Sequence, residues 1–128
     1  MAGQPTIVPY LSYEDGHAAI AFLRDAFGFD VIQAHDDDEG RLLHAEMCFG
    51  DGVVMIGTAK AGKGSPRIYV VVDDVEAHHA RARDAGAEIV YPPERTDWGT
   101  WRYRCADPEG HEWSFGSYQP RTEAPSWA

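Results

Sequence analysis

At 128 residues the chain is long enough for one domain with a real core and too short for two. Twenty-one acidic side chains against 11 basic ones give a formal charge of −10, which argues against the basic footprint of a nucleic-acid binder, keeps the surface soluble, and is compatible with cationic ligands through steering. No apolar run approaches the roughly 20 residues of a membrane helix, and no basic-then-apolar leader opens the sequence. The expectation is therefore a cytoplasmic protein, with Cys48 and Cys105 as free thiols rather than a disulfide framework.

In chain order, Thr6–Leu11 reads as a β-strand leading to Glu14-Asp15-Gly16. A helix follows, with Ile20, Leu23 and Phe27 at helical spacing, Ala19, Phe22 and Ala26 beside them, and Gly28 at its end. Strands are then predicted over 29–35, 42–49 and 52–56. Between the first two, His35 precedes the acidic run Asp36-Asp37-Asp38-Glu39, read as a solvated loop ahead of Gly40. Residues 58–66 form a Gly- and Lys-containing linker. Gly57 and Gly62-Lys63 mimic part of a phosphate-binding loop, but Gly64 and Pro66 stand where a hydroxyl and a helix should follow.

The second half repeats the order. Ile68–Val72 is a strand, Asp73-Asp74 supplies a helix N-cap, and Val75, His78 or His79, Ala82 and Ala85 make the apolar stripe up to Gly86. One of the two histidines is expected at the core edge. Strands follow over 87–91, 101–105 and 112–117. The chain is thus read as a single domain over 1–120, with module one about 5–57, linker 58–66 and module two about 67–118. Each module runs strand, helix, three strands (βαβββ), and the fold class is α+β. The polar tail 121–128 is read as mobile or laid over a dimer surface.

Leu42–Phe49 alternates most clearly. Leu43, Ala45, Met47 and Phe49 share one face, assigned to the helices; His44, Glu46 and Cys48 share the other. Those three residue types serve acid–base, metal-ligand or nucleophilic chemistry, and Glu46 is the candidate general base. Aromatic residues gather later. Trp113 and Phe115 share a face expected to anchor the core. Trp98, Trp101, Arg102, Tyr103 and Arg104, with Glu112 and Ser114, are candidates for the wall of a binding cup.

The stretch from Trp98-Gly99 through Asp107-Pro108-Glu109-Gly110-His111-Glu112-Trp113-Ser114-Phe115 is a turn flanked by aromatic strands. It resembles the C-terminal signature of the vicinal oxygen chelate superfamily (glyoxalases, bleomycin-resistance proteins, extradiol dioxygenases) and is most similar to the PhnB-like branch. The resemblance covers almost the whole chain. It implies a cupped, barrel-like mixed sheet with helices outside, and a homodimer. Metal-binding members use four ligand positions, two from each module. These fall near Val8, on Glu46, near Arg67 and near Ser114, so only Glu46 is of ligand type. The resemblance therefore implies a binder of a small organic ligand, such as a cationic or aromatic antibiotic, with no cofactor. The alternative is a lyase, isomerase or dioxygenase that uses Glu46 as base, or a displaced divalent-metal site made of His44, Glu46 and either Glu112 or His111.

Overall fold

The computed structural model describes residue 5, residues 7–59 and residues 67–120. The tail 121–128 and most of the linker, 60–66, lie outside the described residues. Module one contains β1 (Tyr10–Tyr13), α1 (Gly16–Phe22), β2 (Asp30–Asp36), β3 (Leu42–Phe49) and β4 (Gly52–Thr58). Module two contains β5 (Ile68–Val71), α2 (Val75–Asp84), β6 (Glu88–Arg95), β7 (Trp101–Ala106) and β8 (Glu112–Gly116). Their four-stranded sheets have the same order, β1-β4-β3-β2 and β5-β8-β7-β6, with β1 parallel to β4 and β5 parallel to β8. The α+β duplication expected from the sequence is the observed fold.

The helices start alike. Asp15 and Asp74 each accept a hydrogen bond at 3.0 Å from the backbone N–H three residues on, which satisfies one orphan donor of the first turn. Beyond Phe22, α1 widens into a π-helical segment, Leu23–Phe27, that ends at Gly28 with φ 88°. This segment buries Leu23, Ala26 and Phe27 completely. Phe27 meets Trp113 and Phe115 of module two, with ring centroids 5.3 and 4.8 Å apart, so one core serves both modules.

Three hairpin connections share one five-residue design. The Asp37–Arg41, Thr96–Thr100 and Asp107–His111 loops each close by a backbone bond from the first N–H to the last C=O, at 2.7–3.0 Å. In each, the fourth residue is a glycine at φ 81–90°, a left-handed conformation that a β-carbon disfavours. The first side chain braces the loop: Asp37 accepts from Glu39 and Arg41 N–H, Thr96 from Thr100 N–H, Asp107 from Glu109 and His111 N–H. The acidic run before Gly40 is accordingly an Asp-braced turn and not just a solvated loop.

Several expectations need correction. The first strand begins at Tyr10 rather than Thr6, which lies outside the described residues, and β4 extends through Thr58 into the expected linker. The β6 strand runs past Tyr91 through Pro92-Pro93 to Arg95; as an edge strand with irregular register it tolerates the missing N–H donors. On β3, Leu42 is buried (2% exposed) and Leu43 is exposed (63%). A register irregularity between the His35↔His44 and Asp36↔Leu42 pairs skips Leu43 and inverts the alternation there. No helix among the described residues is long and apolar enough to cross a membrane.

Candidate functional site

The turn that dominates the sequence is a clasp between modules. Asp107 is buried, and its Oδ2 accepts from Tyr13 Oη at 2.6 Å and Trp113 Nε1 at 3.2 Å, while Oδ1 accepts two loop N–H groups. His111 Nε2 donates to the Ser12 carbonyl at 2.9 Å. The Glu109 carboxylate receives the backbone N–H groups of Glu14 and Asp15 at 2.6 and 3.0 Å, just ahead of α1. Burial and the neighbouring Asp107 push the Tyr13 hydroxyl far above its ordinary value. These residues hold β1 of module one against the β7–β8 hairpin of module two. His111 therefore leaves the displaced-metal set, because its ring is engaged on that clasp.

Strand β7 distributes its side chains by period two. Tyr103 and Cys105 are fully buried, Arg102 and Arg104 reach the opposite face, and Trp101, at the start of the strand, is exposed. Tyr103, expected on the cup wall, is a core residue: its ring stacks on Phe115 at 5.3 Å. Its hydroxyl donates to His78 Nδ1 at 2.6 Å, and His78 Nε2 donates to the Phe27 carbonyl at 2.9 Å. His78 is thus the core-edge histidine, neutral in this arrangement, with burial lowering its proton affinity. Burial likewise pushes the Cys105 thiol up to about 12.

On the open face of module two lies a cavity of about 610 Å³, a size suited to a small organic ligand. Its wall contains Trp98, Trp101, Arg102, Arg104 and Ser114, all anticipated, together with Arg67, Tyr69, Tyr91 and Tyr118. Both guanidinium groups lie close to the Tyr91 ring, with Arg102 Cζ 5.8 Å and Arg104 Cζ 5.3 Å from its centroid. Arg102 also sits 6.0 Å from the Trp98 ring. Arg104 Nε donates to Ser114 Oγ at 3.1 Å. Tyr69 donates to the Tyr118 carbonyl at 2.6 Å. Tyr91, the last residue of the predicted strand, escaped the sequence reading as a lining residue, because the register shift that skips Val90 and brings it opposite Arg104 is not visible in the sequence.

Among the described residues, three arginines and no Asp or Glu line this cavity. The acidic surplus of the chain therefore does not set the sign of the described wall of this cavity. Glu112 is at the rim, its carboxylate 3.4 Å from Arg67 Nε, and does not line the cavity.

His44, Glu46 and Cys48 lie on the other sheet and do not line this cavity either. There Glu46 Oε2 accepts from His44 Nε2 and Oε1 from Gln33 Nε2, both at 3.0 Å, and His35 Nε2 bonds Gln33 Oε1 at 2.8 Å. The His44 and Gln33 hydrogen bonds hold the Glu46 carboxyl below its ordinary range.

The registers also revise the metal positions. Ser114 pairs with Tyr69, and in module one Tyr10 pairs with Met55. Glu46 pairs with Met55 as Arg104 pairs with Ser114. The module-one counterpart of Ser114 is thus Met55, and Glu46 is the counterpart of Arg104. The four positions become Val8, Met55, Arg67 and Ser114, none of ligand type. His44, Glu46 and Glu112 are not gathered, and no group of three His, Cys, Asp or Glu among the described residues is placed to hold a metal. These residues do not fit a divalent-metal centre.

Comparisons with known proteins agree with this architecture. Residues 6–115 match the family model of the Glyoxalase/Bleomycin resistance protein/Dioxygenase superfamily. The chain is similar to the uncharacterized protein Mb0911c of Mycobacterium bovis, at 32% identity over 126 residues, covering 88% of this chain and 83% of that protein. Among solved structures it is similar to TioX from Micromonospora sp. ML1, with 32% identity, 88% and 97% coverage of the two chains and a TM-score of 0.76. A family enzyme from Burkholderia phytofirmans PsJN shares the fold at 17% identity, 84% and 93% coverage and a TM-score of 0.68. With two βαβββ modules and a match over nearly its full length, this chain belongs to the glyoxalase/bleomycin resistance protein/dioxygenase superfamily.

Proposed function

We propose that this protein binds a small organic molecule in the module-two cavity, without a metal, and acts as a homodimer. The observation that carries this reading is the cavity of about 610 Å³ with its wall of Trp98, Trp101, Tyr69 and Tyr91 interleaved with arginines. Aromatic walls with a few placed polar groups are what small-ligand sites use. Dimerisation is supported by two open sheet faces of unlike charge, Glu46 on one and Arg102 and Arg104 on the other, and by exposed Tyr10, Val31, Ile32 and Leu43 on module one.

A thermal-shift screen of small organic compounds tests the reading. A true ligand at a hundredfold excess over Kd stabilises by about 2.7 kcal/mol. Tyr91→Ala and Trp101→Ala should abolish that shift. A ligand whose shift survives both substitutions binds elsewhere and sinks the assignment. Saturable stabilisation of stripped protein by Ni²⁺, Zn²⁺, Mn²⁺ or Fe²⁺ would reject the metal-free part. Sedimentation at low micromolar concentration tests the dimer, and a monomer there refutes it.

One observation favours a second reading as an enzyme. The Glu46 carboxylate bonds the His44 imidazole at 3.0 Å, an arrangement that orients a histidine for proton transfer. Turnover of a compound held at this module-one face, lost in His44→Gln, would replace sequestration by catalysis.

A further inference from the structure

The charge of the cavity narrows the class of ligand, given that the cavity is the ligand site. Arg67 is compensated by Glu112 at 3.4 Å and Arg102 by Glu94 at 3.3 Å, both carboxylates outside the cavity lining. Arg104 is not. Among the described residues no carboxylate lies within 4.0 Å of its guanidinium, whose Nε bonds only the neutral Ser114 hydroxyl. A wall whose described residues include one uncompensated guanidinium and no acid repels cations and favours a ligand that brings negative oxygen acceptors. Around these groups the surfaces are flat rings: Tyr91 against both guanidiniums, and Trp98 and Trp101 nearby. Such rings pack best on another planar ring.

We propose that the module-two cavity selects a planar aromatic carboxylate, with Arg104 and Arg102 receiving the carboxylate and the Tyr91, Trp98 and Trp101 rings receiving the aromatic body. Planar bidentate pairing with carboxylate is the property that sets guanidinium apart from ammonium, so Arg104 is a specificity-determining residue and not a generic positive charge.

Calorimetric titration with three probes of one shape isolates the charge: naphthoate, its neutral amide, and the corresponding naphthylmethylammonium. The expected order is acid, amide, ammonium, with the acid about tenfold tighter than the amide. Arg104→Gln should bring the acid-to-amide affinity ratio to about one, and Arg104→Lys should restore only part of it. Circular dichroism and melting confirm that the variants are folded. An ammonium or amide probe that binds as tightly as the acid overturns the aromatic-carboxylate assignment while leaving a small-ligand cavity standing. So does an acid preference that survives both Arg104→Gln and Arg102→Gln. If none of the three probes binds in the millimolar range, the ligand-site reading falls along with its specificity.

Discussion

Tyr10 and Tyr69 stand at equivalent places in the two sheets, each lying over a glycine of the neighbouring parallel strand. A β-carbon on Gly57 would meet Tyr10 Oη at 2.7 Å, and one on Gly116 would meet Tyr69 Oη at the same distance. Both sheets also break register at the same point, skipping Ile32 in β2 and Val90 in β6. Around this shared frame the polar faces diverge: Gln33, His44 and Glu46 correspond to Tyr91, Arg102 and Arg104. On module one these residues satisfy one another through hydrogen bonds; on module two they leave donors facing a cavity. What holds the two halves alike is steric: ring over glycine, bulge, and a glycine in each hairpin. The open sheet face is under no such packing constraint, so its chemistry is free to differ.

The largest test concerns the hairpin that only module two sends across to its partner. Asp107→Ala strands the Tyr13 hydroxyl, the Trp113 indole and two backbone N–H groups, at a cost of about 3–5 kcal/mol in urea unfolding. Asp51→Ala, in the corresponding connection of module one, should stay within about 0.5 kcal/mol. Equal effects would erase the asymmetry. Next comes the glycine pair. Gly116→Ala also confronts the Trp101 carbonyl at 2.9 Å, a backbone atom, and should cost about 1–3 kcal/mol and weaken ligand binding. Gly57→Ala meets only the Tyr10 side chain, which is exposed and can swing away, and should cost less than about 1 kcal/mol.

Helix α2 carries His78 where the equivalent position of α1, counted from the Asp15 and Asp74 caps, is Ala19. Burial lowers the folded-state pKa of His78 below its ordinary 6.5. Between those two values the unfolded chain binds more protons, so stability rises with pH there and falls as pH drops below about 6.5. The melting temperature should decline from pH 7 to pH 5.5. His78→Gln should cost about 1–2 kcal/mol at pH 7 and flatten this decline; an unchanged slope would assign the acid sensitivity elsewhere. The smallest effect is expected at the loop tips. Trp98→Ala, 66% exposed, should leave stability within about 0.5 kcal/mol yet weaken an aromatic ligand about threefold, some 0.6 kcal/mol. Glu39→Ala, its counterpart in the Asp37–Arg41 turn, should change neither stability nor binding.

Periodicity and turn chemistry determined much of this protein without any tertiary information. The Ile20-Leu23-Phe27 stripe, the capping Asp74, the Leu42–Phe49 strand and the Asp-Pro-Glu-Gly reversal each encode their local conformation in adjacent residues. Their repetition disclosed the two modules, and residues 98–115 pointed to the family. Other features depend on how strands pair. The bulge that inverted Leu42 and Leu43, and the extension of β6 through two prolines, are properties of edge-strand register that no local window contains. The phase of β7 was open as well, because Trp101 through Cys105 alternates two kinds of large side chain. Only packing against His78 and Phe115 sends Tyr103 inward and Arg102 and Arg104 outward. The sign of the cavity was likewise beyond composition. A net charge is a sum over the whole surface, whereas a ligand meets the few groups that folding brings to one wall.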